Sequence, residues 1–227
     1  MDIASRLKIL DQIYAIYDQF AASLNLACKK GCDHCCTSGV LLTTLEGYKI
    51  IDRLTSEANT DVIQQIRCAS EIKRLRPQLT ANRLAQLCAN GVDLPEEADN
   101  IDLQTCPILQ DNHCPIYELR PYGCRCLVSR HTCGEKGYAE IGDFVLSVNT
   151  VFLQTIEHVD AGGCSGNLVD VLQTMSDENN REAYGSSALH CSVNNLIPNQ
   201  PLGVLMIPPE HRTKMEPILQ ELRQITI

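Results

Sequence analysis

Along residues 3 to 24, Ile3, Leu7, Leu10, Ile13, Tyr14, Tyr17, Phe20, Ala21 and Leu24 recur at intervals of three and four with polar residues between them. That period is one apolar stripe of a helix. Beyond the short apolar stretch Val40 to Leu42, Thr43 followed three residues later by Glu46 reads as a capping box, opening a helix to about Leu54. Ile63, Ile66, Ile72 and Leu75 mark the next helix, capped by Asn59 or Thr60 and interrupted at Pro77. Thr80 through Leu84, Leu87 and Cys88 mark another, stopped at Asn90-Gly91. Phe144, Val145, Val148, Val151, Phe152, Thr155, Ile156 and Val159 predict a long helix closed by Gly162-Gly163. A shorter helix follows from about Ser165 to Met175, and a last one begins near Pro209 or Met215. Few segments alternate as strands do. The expected fold is mainly α: a helical domain with an irregular cysteine-rich metal-binding region and at most a few short strands.

Periodicity fails from Gly91 to about Gly137, where Pro, Gly, Asp, Asn and Cys dominate and something other than an apolar core is expected to organise the chain. The 227 residues contain thirteen cysteines. Cys28, Cys32, Cys35 and Cys36 fall within nine residues, and Cys106, Cys114, Cys124 and Cys126 form a second group. Thiolate-only donor sets select zinc or iron–sulfur clusters over magnesium and calcium. Adjacent side chains point in different directions, so Cys35 and Cys36 favour a polynuclear cluster or two sites over one tetrahedral ion. Cys68 and Cys88 lie in helical patterns and read as buried, inert thiols. Cys133 and Cys164 stand beside glycines and are further candidate ligands, with Cys191 behind them. His34, His113 and His131 are not required where thiols are so many.

The formal charge of −9 argues against nucleic acid, whose backbone is bound by displacing counterions with Lys and Arg. Lys29, Lys30, Arg120, Arg125 and Arg130 oppose that sign beside the cysteines, where cations would favour thiolates. Arg120 has two readings, bonding to cluster sulfurs or tying its loop to a carboxylate such as Glu118 or Glu46. Tyr117 is expected to pack its ring over the site. The N-terminus lacks a basic region followed by an apolar core, and no apolar run approaches a membrane span. A soluble cytoplasmic protein is expected, in which clustered thiols bind metal rather than form disulfides.

The first run, Cys28-x3-Cys32-x2-Cys35-Cys36, and the second, Cys106-Pro107 then Cys114-Pro115-Ile116-Tyr117-Glu118-Leu119-Arg120-Pro121-Tyr122-Gly123-Cys124-Arg125, together resemble the YkgJ-type cysteine-cluster family. Members of that family are described as zinc- or iron-chelating domains. The resemblance covers residues 28–126 within a single domain of residues 1–227, leaving 138–227 as a helical C-terminal extension packed on that core. It implies metal binding by Cys28, Cys32, Cys35, Cys36, Cys106, Cys114 and Cys124 in an iron–sulfur cluster, most simply 4Fe–4S, since relatives are described as iron–sulfur oxidoreductases. Cys126 lies two residues past the motif and is carried as a further ligand. Proline after Cys106 and Cys114 independently fixes the local direction of each ligand loop.

The leading expectation is therefore an iron–sulfur protein with a redox or electron-transfer role and an unidentified redox or protein partner. A zinc-binding structural module is the second. A third follows from resemblance to flagellin lysine N-methylase and from the Cys28-x3-Cys32-x2-Cys35 spacing, which radical S-adenosylmethionine enzymes share. Those enzymes place the motif after the first strand of a βα barrel, whereas a helix precedes it here. No phosphate loop, Ser-His-Asp set or paired-carboxylate site can be read from spacing.

Overall fold

The computed structural model describes residues 1–94, 103–192 and 195–225. Its first helix, α1 (Ile3–Ala22), starts where the Asp2 carboxylate accepts the Ser5 N–H, and buries Ile9, Leu10, Ile13, Tyr14 and Tyr17. Arg6 is buried on the same face, where sequence periodicity placed only apolar residues. The capping box is present: Thr43 closes strand β1 (Leu41–Thr43) and opens α2 (Thr44–Ser56). Helix α3 (Thr60–Cys68) runs into a 3₁₀ turn, Ala69–Glu71, and ends well before Pro77. The cause is Arg74, which donates to the Ala69, Ser70 and Ile72 carbonyls while held by Asp170. A cation bonded to the last carbonyls closes a helix as a terminating residue would. Asn59 makes no side-chain cap. Thr80 does, opening α4 (Ala81–Ala89), and Gly91 lies just beyond with positive φ.

Short helices α5 (Tyr122–Arg125) and α6 (Cys133–Lys136) carry cysteines, and α7 (Asp143–Val159) is the long helix expected from the pattern. The next helix was expected from Ser165. Instead β2 (Cys164–Asn167) pairs antiparallel with both β1 and β3 (Ile197–Pro198), and α8 (Leu168–Ser176) starts only after Asn167, whose side chain accepts the Val169 N–H. The ladder consumes residues that a helix would have used. Helix α9 (Glu178–Gly185), capped by Asp177, was not expected, because it buries only Tyr184 and shows no stripe. Helix α10 (Arg212–Arg223) follows a 3₁₀ turn at Pro209–His211. Among the described residues the fold is thus mainly α with one small sheet.

Helix α1 packs on α7, α2 and α10, and α2 packs on α8. Tyr17, Tyr122 and Phe152 meet at the centre, with Tyr17 edge-on to both others and Tyr122 stacked on Phe152. Tyr122 comes from the cysteine-rich stretch, as do the buried Ile108 and Ile116. The expectation that this stretch stands apart from the apolar core is corrected: its isoleucines and Tyr122 are pegs in that core, too widely spaced to show a period. Residues 95–102 of the stretch lie outside the described residues. No described helix is long and apolar enough to cross a membrane.

Candidate metal centre

Three short backbone devices assemble the cysteines. In the first run, the Cys36 N–H donates to the Asp33 carbonyl and the Thr37 N–H to the Cys35 carbonyl. The second bond spans only two residues, a γ-turn that folds the chain back at Cys36. Both adjacent thiols consequently face one cavity, correcting the expectation that Cys35 and Cys36 point apart.

The second device is a tight hairpin from Cys106 to Cys114. Gln110 and His113 exchange both backbone hydrogen bonds, with Asp111 and Asn112 between them at positive φ. Asp and Asn tolerate the left-handed region that a two-residue primed turn demands. The Leu109 N–H donates to the Cys106 carbonyl at 3.1 Å and the Tyr117 N–H to the Cys114 carbonyl at 3.2 Å, so a turn closes after each cysteine. The proline after each cysteine fits that turn, since it fixes φ and contributes no N–H of its own. The hairpin is stitched to the first run by the Cys106 N–H to the Cys36 carbonyl and the Ser38 N–H to the Gln104 carbonyl.

The third device seats α5. The Glu46 carboxylate accepts from the Thr43 N–H and hydroxyl, and also from the Tyr14 hydroxyl and the Tyr122 N–H, both at 2.7 Å. One acid thus caps α2 and anchors the first residue of the cysteine-bearing helix. A Cβ at Gly123 would collide with the Leu41 carbonyl, so glycine lets α5 lie against β1.

The result is a small, partly enclosed cavity of about 50 Å³ lined by Cys32, Cys35, Cys36, Cys106, Cys114 and Cys124, with Ile108, Tyr117, Arg120 and Leu127 among its other walls. The structure brings together six of the eight cysteines expected to ligate. Cys28 is exposed, its sulfur accepting the Ser129 N–H at 3.2 Å, and Cys133 is among its electrostatic neighbours. Cys126 turns away from the cavity, its thiol against the Gly123 carbonyl at 3.6 Å. Cys164 and Cys191 are joined in a disulfide, so neither is a free ligand. Cys68 and Cys88 are exposed rather than buried: the stripes that contain them place them at the solvent edge.

The Cys35 thiol donates to Cys36, which pushes Cys35 up and pulls Cys36 down; burial raises Cys35 further. Burial also raises Cys106, Cys114 and Cys124, and in Cys124 the neighbouring thiols add to it. Burial is likewise the main cause that lifts Cys126 to about 12. Crowded, desolvated thiols repel one another as anions, and a positive centre among them would reverse that balance.

The chemistry of the donor set therefore fits a thiophilic metal group. Among the described residues no three His, Cys, Asp or Glu side chains already meet closely enough to hold a single ion, the thiols being spread round the cavity wall.

The flanking cations separate sharply. Lys30 pairs with Glu118 in solvent, Arg125 with Asp18, and Arg130 stands 3.9 Å from Glu140. Arg120 pairs with neither Glu118 nor Glu46, contrary to the second of its two readings; it lies over the Tyr117 ring at 3.6 Å and lines the cavity. His113 bonds the Asp111 carbonyl, and the His34 ring packs against Gly134. The His131 ring nitrogens are enclosed without hydrogen-bond partners among the described residues. The apolar walls escaped sequence reading, although Ile-after-Cys-Pro, repeated at Ile108 and Ile116, was the available signal.

A larger, open groove of about 940 Å³ lies elsewhere, bounded by α3, α8 and α9, with no cysteine or histidine among its described lining residues. Comparison of the chain with models of known families, with curated proteins and with solved structures finds no match.

Proposed function

We propose that this chain is a cysteine-ligated metal protein of YkgJ type, holding an iron–sulfur cluster in the thiol cavity and serving a redox or electron-transfer role. The observation that carries the reading is the convergence of six thiols from two separate motifs on one partly enclosed, largely apolar cavity. Cys32, Cys35, Cys36, Cys106, Cys114 and Cys124 supply more donors than a single tetrahedral ion uses, which favours a polynuclear group. When bound, such a cluster supplies one-electron chemistry at a potential set by net charge, hydrogen bonds to sulfur and exposure. The backbone amides of Ile108 and Ile116, which favour the thiolate forms of Cys106 and Cys114, are of that tuning kind.

The second reading is zinc held for structure. It is favoured by the irregular backbone of the ligand loops, which a bound ion would order. The methylase reading loses support, since the described sheet is three antiparallel strands and a helix precedes the first motif. Free thiols suit the reducing cytoplasm, and the Cys164–Cys191 bond is the feature that runs against it.

The test is iron, zinc and acid-labile sulfide per chain after anaerobic purification, on wild type and on Cys35→Ala, Cys114→Ala and Cys68→Ala. Iron with near-equal sulfide in wild type and Cys68→Ala, and its loss in the other two, is expected. Zinc without sulfide selects the structural reading, and equal metal in every variant rules out this cavity.

A further inference from the structure

We infer that Arg120 is the resident counter-cation of the thiol cavity, held in place by an aromatic ring instead of a carboxylate so that its charge remains available to sulfur ligands. This rests on the metal reading above and assigns a role within it.

Arg120 follows the 3₁₀ turn Tyr117–Leu119 and precedes Pro121, and its Nε–H donates to the Tyr117 carbonyl at 2.8 Å. Its guanidinium carbon stands 3.6 Å from the Tyr117 ring centroid, and the Lys30 ammonium lies 5.3 Å from the same ring. Stacking on an aromatic face orients arginine without neutralising it. Among the described residues no carboxylate pairs with it, and its two terminal nitrogens have no hydrogen-bond acceptor. Lys30 and Arg125 each have a carboxylate partner, and neither lines the cavity.

Arg120 shares the cavity wall with Cys35, Cys114 and Cys124, which lie on both motifs. Four or more thiolates around a metal group carry net negative charge, in a chain already at −9. A fixed guanidinium with uncommitted N–H donors is the group in this cavity wall suited to offset that charge. Arg120 is thus a positioning and charge-balancing residue.

The probe is Co(II), whose thiolate charge-transfer absorption reports ligation directly, titrated anaerobically into metal-free, reduced protein. Wild type, R120K, R120Q and K30Q are compared at low and high salt, with the circular dichroism of each recorded. Arg120→Gln is expected to weaken Co(II) binding about tenfold, as loss of a charge-assisted hydrogen bond to a charged group would. R120K should recover part of the loss, K30Q should match wild type, and the gap should narrow at high salt. Wild-type affinity in R120Q, or an equal loss in K30Q, overturns the inference while leaving the metal reading intact. A loss in R120Q that R120K does not reduce and salt does not change also overturns it, as that pattern belongs to turn structure. Absence of Co(II) binding by wild type overturns both.

Discussion

Glu46 shows how one residue can serve two elements far apart in sequence. Its role as the third residue of α2 is legible in the Thr43-x-x-Glu46 spacing, because both partners are local. Its bond to the Tyr122 N–H crosses 76 residues and leaves no mark in any window of sequence. The carboxylate is buried and accepts four hydrogen bonds, from Tyr14, Tyr122 and twice from Thr43. Glutamine offers one acceptor oxygen, and its amide would face groups that donate. Glu46→Gln is therefore expected to lower stability by about 2–4 kcal/mol, the cost of stranding buried donors. Chemical denaturation of metal-free protein measures it; a change smaller than about 0.5 kcal/mol, the range of ordinary surface substitutions, would contradict the clamp. The same division explains the cysteines. Their grouping was readable as composition, whereas the γ-turn that faces Cys35 and Cys36 together is a property of backbone dihedrals.

At the scale of elements, the helices with sustained stripes, α1, α2, α4 and α7, were legible because each buries one face along its length. What joins them was not. The Asp160 carboxylate, at the end of α7, accepts from Arg6 of α1, from the Thr44 hydroxyl and Leu45 N–H of α2, from Tyr184 of α9 and from Asn199 beyond β3. An arginine inside an apolar stripe and an aspartate before a double glycine look unrelated in sequence, and only the assembled fold pairs them. Burial lifts Asp160 to about 6 from an ordinary 3.8, against the pull of its hydrogen-bond donors and Arg6. Between those two values the folded chain holds a proton that the unfolded chain has released. Raising the pH from about 4 to 6 should therefore reduce stability at this site, by up to about 3 kcal/mol, with no further change above. The slope is opposite in sign to that of a salt-bridged surface carboxylate. It is checked by denaturant midpoints of wild type and Asp160→Asn across that range: the difference between the two should change with pH, and parallel curves would refute the assignment.

For the whole molecule, the thirteen cysteines divide into eleven free thiols and one pair, Cys164–Cys191. Sequence reasoning sorted the cysteines by motif, helical pattern and neighbouring glycines but took all of them as reduced, because compartment was its criterion for oxidation state, and adjacency of β2 to the segment before β3 is a tertiary fact. The bridged residues are separated by 27 positions, and the loop they close contains α8 and α9. In a chain-entropy account a closure of that size stabilises by about 3–4 kcal/mol. Cys164 is buried, with its N–H bonded to the Thr44 hydroxyl beside Asp160, so the pair secures the same junction that the Asp160 network holds. Burial shields the Cys164 sulfur from thiolates, which must reach a sulfur to exchange with it, and Cys191 is half-buried. A cavity of reduced thiols and a disulfide with restricted access can then coexist in one chain. Anaerobically purified protein, denatured with chelator and a thiol-alkylating reagent and weighed by mass spectrometry, should carry eleven labels, rising to thirteen only after reduction. Thirteen labels at the first step would mean that Cys164 and Cys191 are thiols in the cell; the junction would then rest on the Asp160 hydrogen bonds alone, and Asp160→Asn should destabilise it more severely.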